Sequence, residues 1–207
     1  MGLNVRAIEV ENLHLSIISQ FAIHMLACPS VDEVLWRLAR DVVARMGFDD
    51  VVIYLLDEDK KSFHQRAAFG NKNPEANEIL MPLILSVGHG IVGRVGLTGT
   101  PQRIPDVSLH PEYIVDNEAR GSELAVPMVV DGEVIGVIDS ENAEIGFYTE
   151  QDERTLIAIA SIAATKISQT RSVEMLSKER GQLAQRVEER TAELTAANIE
   201  LARASRL

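Results

Sequence analysis

The sequence predicts an α+β domain set between long helices, and three observations predict it. Apolar residues recur at helical spacing toward both ends of the chain. Between about residues 50 and 140 they fall instead in short, β-rich runs. An Asp131-Gly132 pair joins two of those runs, the strongest short-range signal for a tight hairpin.

The elements follow in order. Residues 5–27 read as an amphipathic helix with two apolar stripes, Ile8, Leu15, Ile18, Ala22, Met25 and Val10, Leu13, Ile17, Phe21. Two stripes predict two packing surfaces, the domain and a partner helix. Pro29 ends this helix, and Ser30 with Glu33 has the spacing of a capping box for the next. Val31, Val34, Leu35, Leu38, Val42 and Met46 form the buried face of that second helix, and Gly47 sits at its C-terminal cap. Val51 to Leu56 reads as a strand, the polar run 57–61 as a turn, and Ser62 to Phe69 as the returning strand. Residues 71–78 read as a loop. Ile79 to Val87 reads as a strand that Pro82 confines to an edge. Leu124 to Val130 and Glu133 to Asp139 flank the Asp-Gly turn. A single helix is predicted from Thr149 to the end of the chain, buried through Leu156, Ile157, Ile159, Ala160, Ile162, Ala163 and Ile167. Beyond residue 170 its pattern narrows to a heptad. Val173, Arg180, Val187, Leu194 and Leu201 alternate there with Leu176, Leu183, Arg190, Ala197 and Ala204, a coiled-coil seam weakened by two arginines.

Composition bounds the function. A chain of 207 residues, 46% hydrophobic and 25% charged, is globular rather than disordered, and fits one domain with an extension. The net charge of −11 disfavours nucleic acid and anionic membranes as partners. Residues 171–207 carry seven Lys/Arg against six Asp/Glu, so the acidity belongs to the globular part. Cys28 is the only cysteine, which excludes an intrachain disulfide, a Cys-rich zinc site and a two-cysteine redox cycle. No apolar run approaches the roughly 18 residues that cross a bilayer, and Glu9 and Glu11 break any signal-peptide pattern. A cytoplasmic protein without membrane insertion is expected.

Residues 88–152 carry the motifs. They include Gly88-His89-Gly90-Ile91-Val92-Gly93-Arg94-Val95, Thr98-Gly99-Thr100-Pro101, Ile104-Pro105-Asp106-Val107 and His110-Pro111-Glu112-Tyr113. Ser122-Glu123-Leu124-Ala125-Val126-Pro127, Asp131 to Asp139, and Tyr148-Thr149-Glu150-Gln151-Asp152 follow. The glycines permit tight turns about a short helix whose N-terminus presents free N–H groups. No Gly-Lys-Ser/Thr ending follows them, so nucleotide cleavage is not indicated. In this order and spacing the motifs resemble the GAF family over residues 30–168. The resemblance implies an antiparallel sheet of about six strands, helices on one face, and a small-molecule pocket on the other. The run Gln185 to Leu201 resembles the signalling helix that precedes the output of sensor histidine kinases or diguanylate cyclases. The expected organisation is an N-terminal helix at 1–29, a sensory domain at 30–168 and a coiled-coil helix at 169–207. The phosphoacceptor and ATP-binding motifs of a kinase are not in the sequence, so its output domain is expected beyond residue 207.

The resemblance places Asp106, Tyr113, Ser122 and Glu123 at the pocket, with Gly90 and Ile91 on its helix. Asp106 and Glu123 would accept hydrogen bonds from a ligand and Tyr113 would stack on it or cap it. Asp106 and Ser122 can equally pin the loop through backbone hydrogen bonds. The five histidines show no metal spacing, and a haem would need His89 or His110. Cys28 precedes the domain, which argues against bilin attachment, and as the single cysteine it departs from the several-cysteine chemistry of free methionine sulfoxide reductases of this fold. It reads as a packing residue. Asn142 is followed by Ala143 where cyclic-nucleotide-binding relatives carry lysine. Asp139, Glu141 and Glu144 read as a solvated acidic loop. No cofactor or metal is expected, and no catalytic constellation is readable. The expectation is a non-catalytic sensor, homodimeric through its terminal helices, that binds a small ligand or partner signal and transmits it through a coiled coil to a kinase. A ligand-free dimerisation module with a pocket filled by Met81, Leu85 and Met128 is the alternative, as is the sensor of a diguanylate cyclase.

Overall fold

The computed structural model describes residues 2–70, 78–79, 82–115 and 119–204. Its elements are α1 (Gly2–Leu26), α2 (Val31–Met46), β1 (Asp50–Leu56), β2 (Ser62–Gly70), β3 (Ile84–Ser86) and α3 (Gly90–Thr98). After them come β4 (Gln102–Ile104), a 3₁₀ turn at Val107–Leu109, β5 (Ser122–Val130), β6 (Glu133–Asn142) and α4 (Glu150–Ala204). The chain divides into two compact units, Met1–Ser168 and Gln169–Leu207.

In the first unit six antiparallel strands form one sheet in the order β3-β2-β1-β6-β5-β4. Strand periodicity splits its side chains between two cores. Ile53, Leu124, Met128 and Ile138 face a layer built by α1, α2 and the start of α4, meeting Phe21, Leu35, Leu38, Leu156 and Ile159. Val52, Tyr54, Ala125 and Val137 face the other way, toward Ile91, Val92 and Val95 of α3. The predicted α+β architecture is therefore the observed one, with α1, α2 and the start of α4 together on one face of the sheet.

Local chemistry explains the ends of the elements. The Ser30 hydroxyl accepts the Glu33 N–H at 3.3 Å, and Gly47 closes α2 in the left-handed region at φ 70°. Asp131 and Gly132, at φ 52° and 83°, form the tight turn between β5 and β6. Thr149 and Asp152 cap α4 reciprocally, with the Asp152 carboxylate accepting from the Thr149 N–H at 2.8 Å and the Asp152 N–H donating back to Thr149 Oγ1 at 3.2 Å.

Three expectations are corrected. The two stripes of α1 do not bury as drawn: Ile17, Phe21 and Met25, spaced by four, enter the core, while Leu13 and Leu15 are exposed. Ile8 and Val10 lie outside the residues whose side chains are described. The strand at 79–87 shrinks to Ile84–Ser86, because Pro82 has no N–H to donate and Gln65 pairs with Leu83 through its side chain as well as its backbone. The loop residues 71–77 and residues 80–81 of that strand lie outside the described residues. The first part of α4 is not buried all round, since Ile157 is 37% exposed.

In the second unit the described residues are helical, and the heptad residues Val173, Leu176, Leu183, Val187 and Leu194 are all exposed in the single chain. Leu201 lies outside the residues whose side chains are described. No helix among the described residues is long and apolar enough to cross a membrane.

Candidate functional site

Close backbone approach places α3 on the sheet. A Cβ on Gly96 would lie 2.1 Å from Phe63 Cζ, so only glycine lets the helix settle onto the β2 ring. Gly90 opens the helix at φ 69°, and a Cβ there would meet Ile114 Cδ1 at 2.6 Å. The segment between β4 and β5 thus presses Ile114 against the helix N-terminus.

Between these parts lies a pocket, on the sheet face opposite the long helices. Its walls are Tyr54, Leu83, Leu85, Gly90, Ile91, Val92 and Ile114, and its polar lining is Glu123, Asp139 and Glu141. These three carboxylates are 4%, 5% and 3% exposed. Register brings them together. Glu123 pairs directly with Glu141, and Ala125 pairs with Asp139, so all three carboxylates share one face of the β5–β6 ladder. The free cavity is about 30 Å³. That volume admits a water or two, less than a metabolite occupies.

The expected residues divide. Gly90, Ile91 and Glu123 line the pocket, whereas Asp106, Tyr113 and Ser122 are not among its lining residues. The Asp106 carboxylate accepts from the Ser108 N–H at 3.0 Å and its hydroxyl at 2.6 Å, which ties the 3₁₀ turn. Ser122 donates to the Glu144 carbonyl at 2.7 Å. The Tyr113 hydroxyl accepts the Arg120 N–H at 3.2 Å. The reading of Asp139 and Glu141 as a solvated loop is corrected: both are buried on β6 and line the pocket. Of the side chains proposed to fill the pocket, Leu85 lines it, Met128 lies in the core on the helical face, and Met81 is outside the described residues. Neither His89 nor His110 is among the lining residues. Cys28 is buried in the helical core, and burial pushes its thiol up from the ordinary value. Among the described residues no cluster of His, Cys, Asp and Glu is placed to hold a metal ion.

Behind the floor lies a second polar cluster. Arg120 and Asp50 form a buried ion pair at 3.5 Å, with side chains 7% and 1% exposed. Tyr148 is buried beside it; desolvation drives its phenol well above the ordinary range, outweighing the hydrogen bond with Ser140, which acts the other way.

Known proteins resemble this chain in sequence and in fold. The phosphoenolpyruvate-dependent phosphotransferase system protein of Escherichia coli (strain K12) is 27% identical over 158 residues, which is 74% of this chain and 21% of that protein. The free methionine-R-sulfoxide reductase of Escherichia coli (strain K12) is 35% identical over 72 residues, 35% of this chain and 44% of that protein. The chain therefore spans less than half the length of either. The solved GAF domain of a phosphoenolpyruvate-protein phosphotransferase from Coxiella burnetii superposes with a TM-score of 0.70 at 22% identity, covering 78% of this chain and 96% of that one. A family model described as "GAF domain" matches residues 28–168, more than half of the sequence, and the chain belongs to the GAF domain family.

Proposed function

We propose that this chain is a non-catalytic, cytoplasmic sensory module whose pocket takes a small ligand carrying an ammonium group and an apolar portion. One observation carries the reading: three buried carboxylates, Glu123, Asp139 and Glu141, meet in a pocket with apolar walls. Carboxylate oxygens on the lining accept hydrogen bonds from an ammonium group, and the apolar walls hold the rest of the ligand. Similarity to a reductase that acts on free methionine-R-sulfoxide, an ammonium-bearing amino acid, is in keeping with this choice. The lone Cys28, buried in the other core, argues against a reductase of that kind here.

The proposed output runs through α4. Two copies pair along the heptad of residues 173–201, supported by the outer face of α1 with its exposed Leu15, Ile23 and Leu26. The signal passes to a further domain, a histidine kinase by the resemblance of Gln185 to Leu201. The phosphotransferase relative offers another kind of host.

Thermal unfolding against a panel of amino acids and amines, methionine sulfoxide among them, tests the ligand reading. A ligand at about one hundred times its Kd adds about 2.7 kcal/mol, or roughly 5–10 °C for a chain of this size. The shift should vanish in Glu123→Gln and Asp139→Asn. A shift given only by neutral or anionic compounds overturns the reading. The small cavity favours a second reading, a ligand-free dimerisation module, and a dimer that no compound stabilises would support it.

A further inference from the structure

Strand alternation gives β6 two audiences. Asp139 and Glu141 line the pocket, while Ser140 between them turns to the opposite face. There Ser140 Oγ donates to the Asp50 carbonyl at 2.5 Å and lies 2.8 Å from the Tyr148 hydroxyl. A serine hydroxyl has a single proton. With that proton given to Asp50, Tyr148 must be the donor to Ser140. The result is an ordered chain of hydrogen bonds from the Tyr148 phenol through Ser140 to the backbone of Asp50.

Asp50 is engaged from the pocket side as well. Its Oδ1 accepts the Glu141 N–H at 3.0 Å, and its Oδ2 faces Arg120 at 3.5 Å. Arg120 belongs to the same β4–β5 segment that delivers Ile114 to the pocket, and its N–H donates to Tyr113. At the far end, the Tyr148 ring stands edge-on to Phe48 and Phe147, each with centroids 5.1 Å away. The Thr149–Asp152 cap of α4 follows it directly, and Arg103 bridges the Tyr148 carbonyl at 3.4 Å to Glu153 at 3.0 Å.

We infer that Asp50 is a positioning residue that links the segment beside the pocket to the root of α4, through Ser140 and Tyr148. The inference rests on the sensory reading above and names the route its signal takes. A change at Ile114 or Glu141 shifts Arg120 or the β6 backbone. Both are tied to Asp50, and Asp50 is tied by two hydrogen bonds in series to Tyr148, which precedes the Thr149 cap of the helix.

The measurement is amide hydrogen exchange on the full chain, carrying Arg120→Gln, Tyr148→Phe or both. Arg120 and Tyr148 interact through intermediaries, and uncoupled substitutions at such a pair act independently. Arg120→Gln should speed exchange at residues 153–158 by roughly threefold or more. In the Tyr148→Phe background, which keeps the ring and loses the hydroxyl, the same substitution should leave those amides unchanged. Equal acceleration in both backgrounds, or a response confined to residues 105–121, overturns the inference. If Arg120→Gln unfolds the protein, Tyr113→Phe releases the same segment more gently, and α4 amides blind to it overturn the inference too. No ligand enters this experiment, so its failure leaves the ammonium reading standing, and a failed ligand screen leaves the route standing.

Discussion

Tyr148 shows how much one hydroxyl can reveal. Its phenol is buried and held neutral, and burial moves its ionisation upward from 10.0. The folded state then holds this proton more tightly than the unfolded chain does. The associated stability is whole below pH 10.0 and falls as pH climbs past it. Urea midpoints at about pH 9 and about pH 11 should therefore drop more in the wild-type chain than in Tyr148→Phe. Cys28, raised from 9.0 by burial, adds a slope of the same sign, and it is common to both proteins. Residue chemistry of this kind was partly open to inspection of the sequence. The Ser30 and Gly47 caps could be read because a cap is local. The pairing of Tyr148 with Ser140 could not, because it depends on how a strand and a helix start meet in space.

At the scale of elements, the legible features were those fixed by short-range geometry, such as the Asp131-Gly132 turn and the long C-terminal helix. Glu123 was expected at the pocket, but Asp139 and Glu141 were missed because the strand was read as ending at Asp139, whereas β6 runs on to Asn142. Counting back from the pair Val130 and Glu133 without interruption sets Glu123 opposite Ser140. The register shifts by one residue at Met128/Val129, so Glu123 meets Glu141 instead. A one-residue slip exchanges the faces of a strand, and nothing in the turn announces the bulge. In the same way, Pro82 marked an edge correctly but not how short the strand would be.

α4 carries an element-level prediction of its own. Gly181 sits inside the helix with open space around the site of a Cβ. Gly181→Ala should stabilise this stretch by about 0.5–1 kcal/mol, because alanine gives up less backbone freedom. Slower amide exchange at residues 178–186 would register the gain, and unchanged exchange would mean the stretch is held by something other than its own helical preference.

For the whole molecule, the proposed pairing makes a plain demand on mass. Five apolar heptad residues of the second unit are 58% to 65% exposed in the single chain, and a second copy is what would cover them. Removing residues 169–207 should loosen the dimer by at least about tenfold in Kd, or about 1.4 kcal/mol, in sedimentation equilibrium. An unchanged dimer would move the pairing entirely to α1. The seam arginines, Arg180 and Arg190, set the opposite expectation for strength: replacing both with leucine should tighten the dimer.

The small void beside Glu123 also has a kinetic consequence. With room for little more than solvent, the resting form must loosen before anything larger can enter. Stopped-flow traces should then speed up with added compound only to a ceiling, set by the protein's own rate of opening, and that ceiling should be the same for every compound tried.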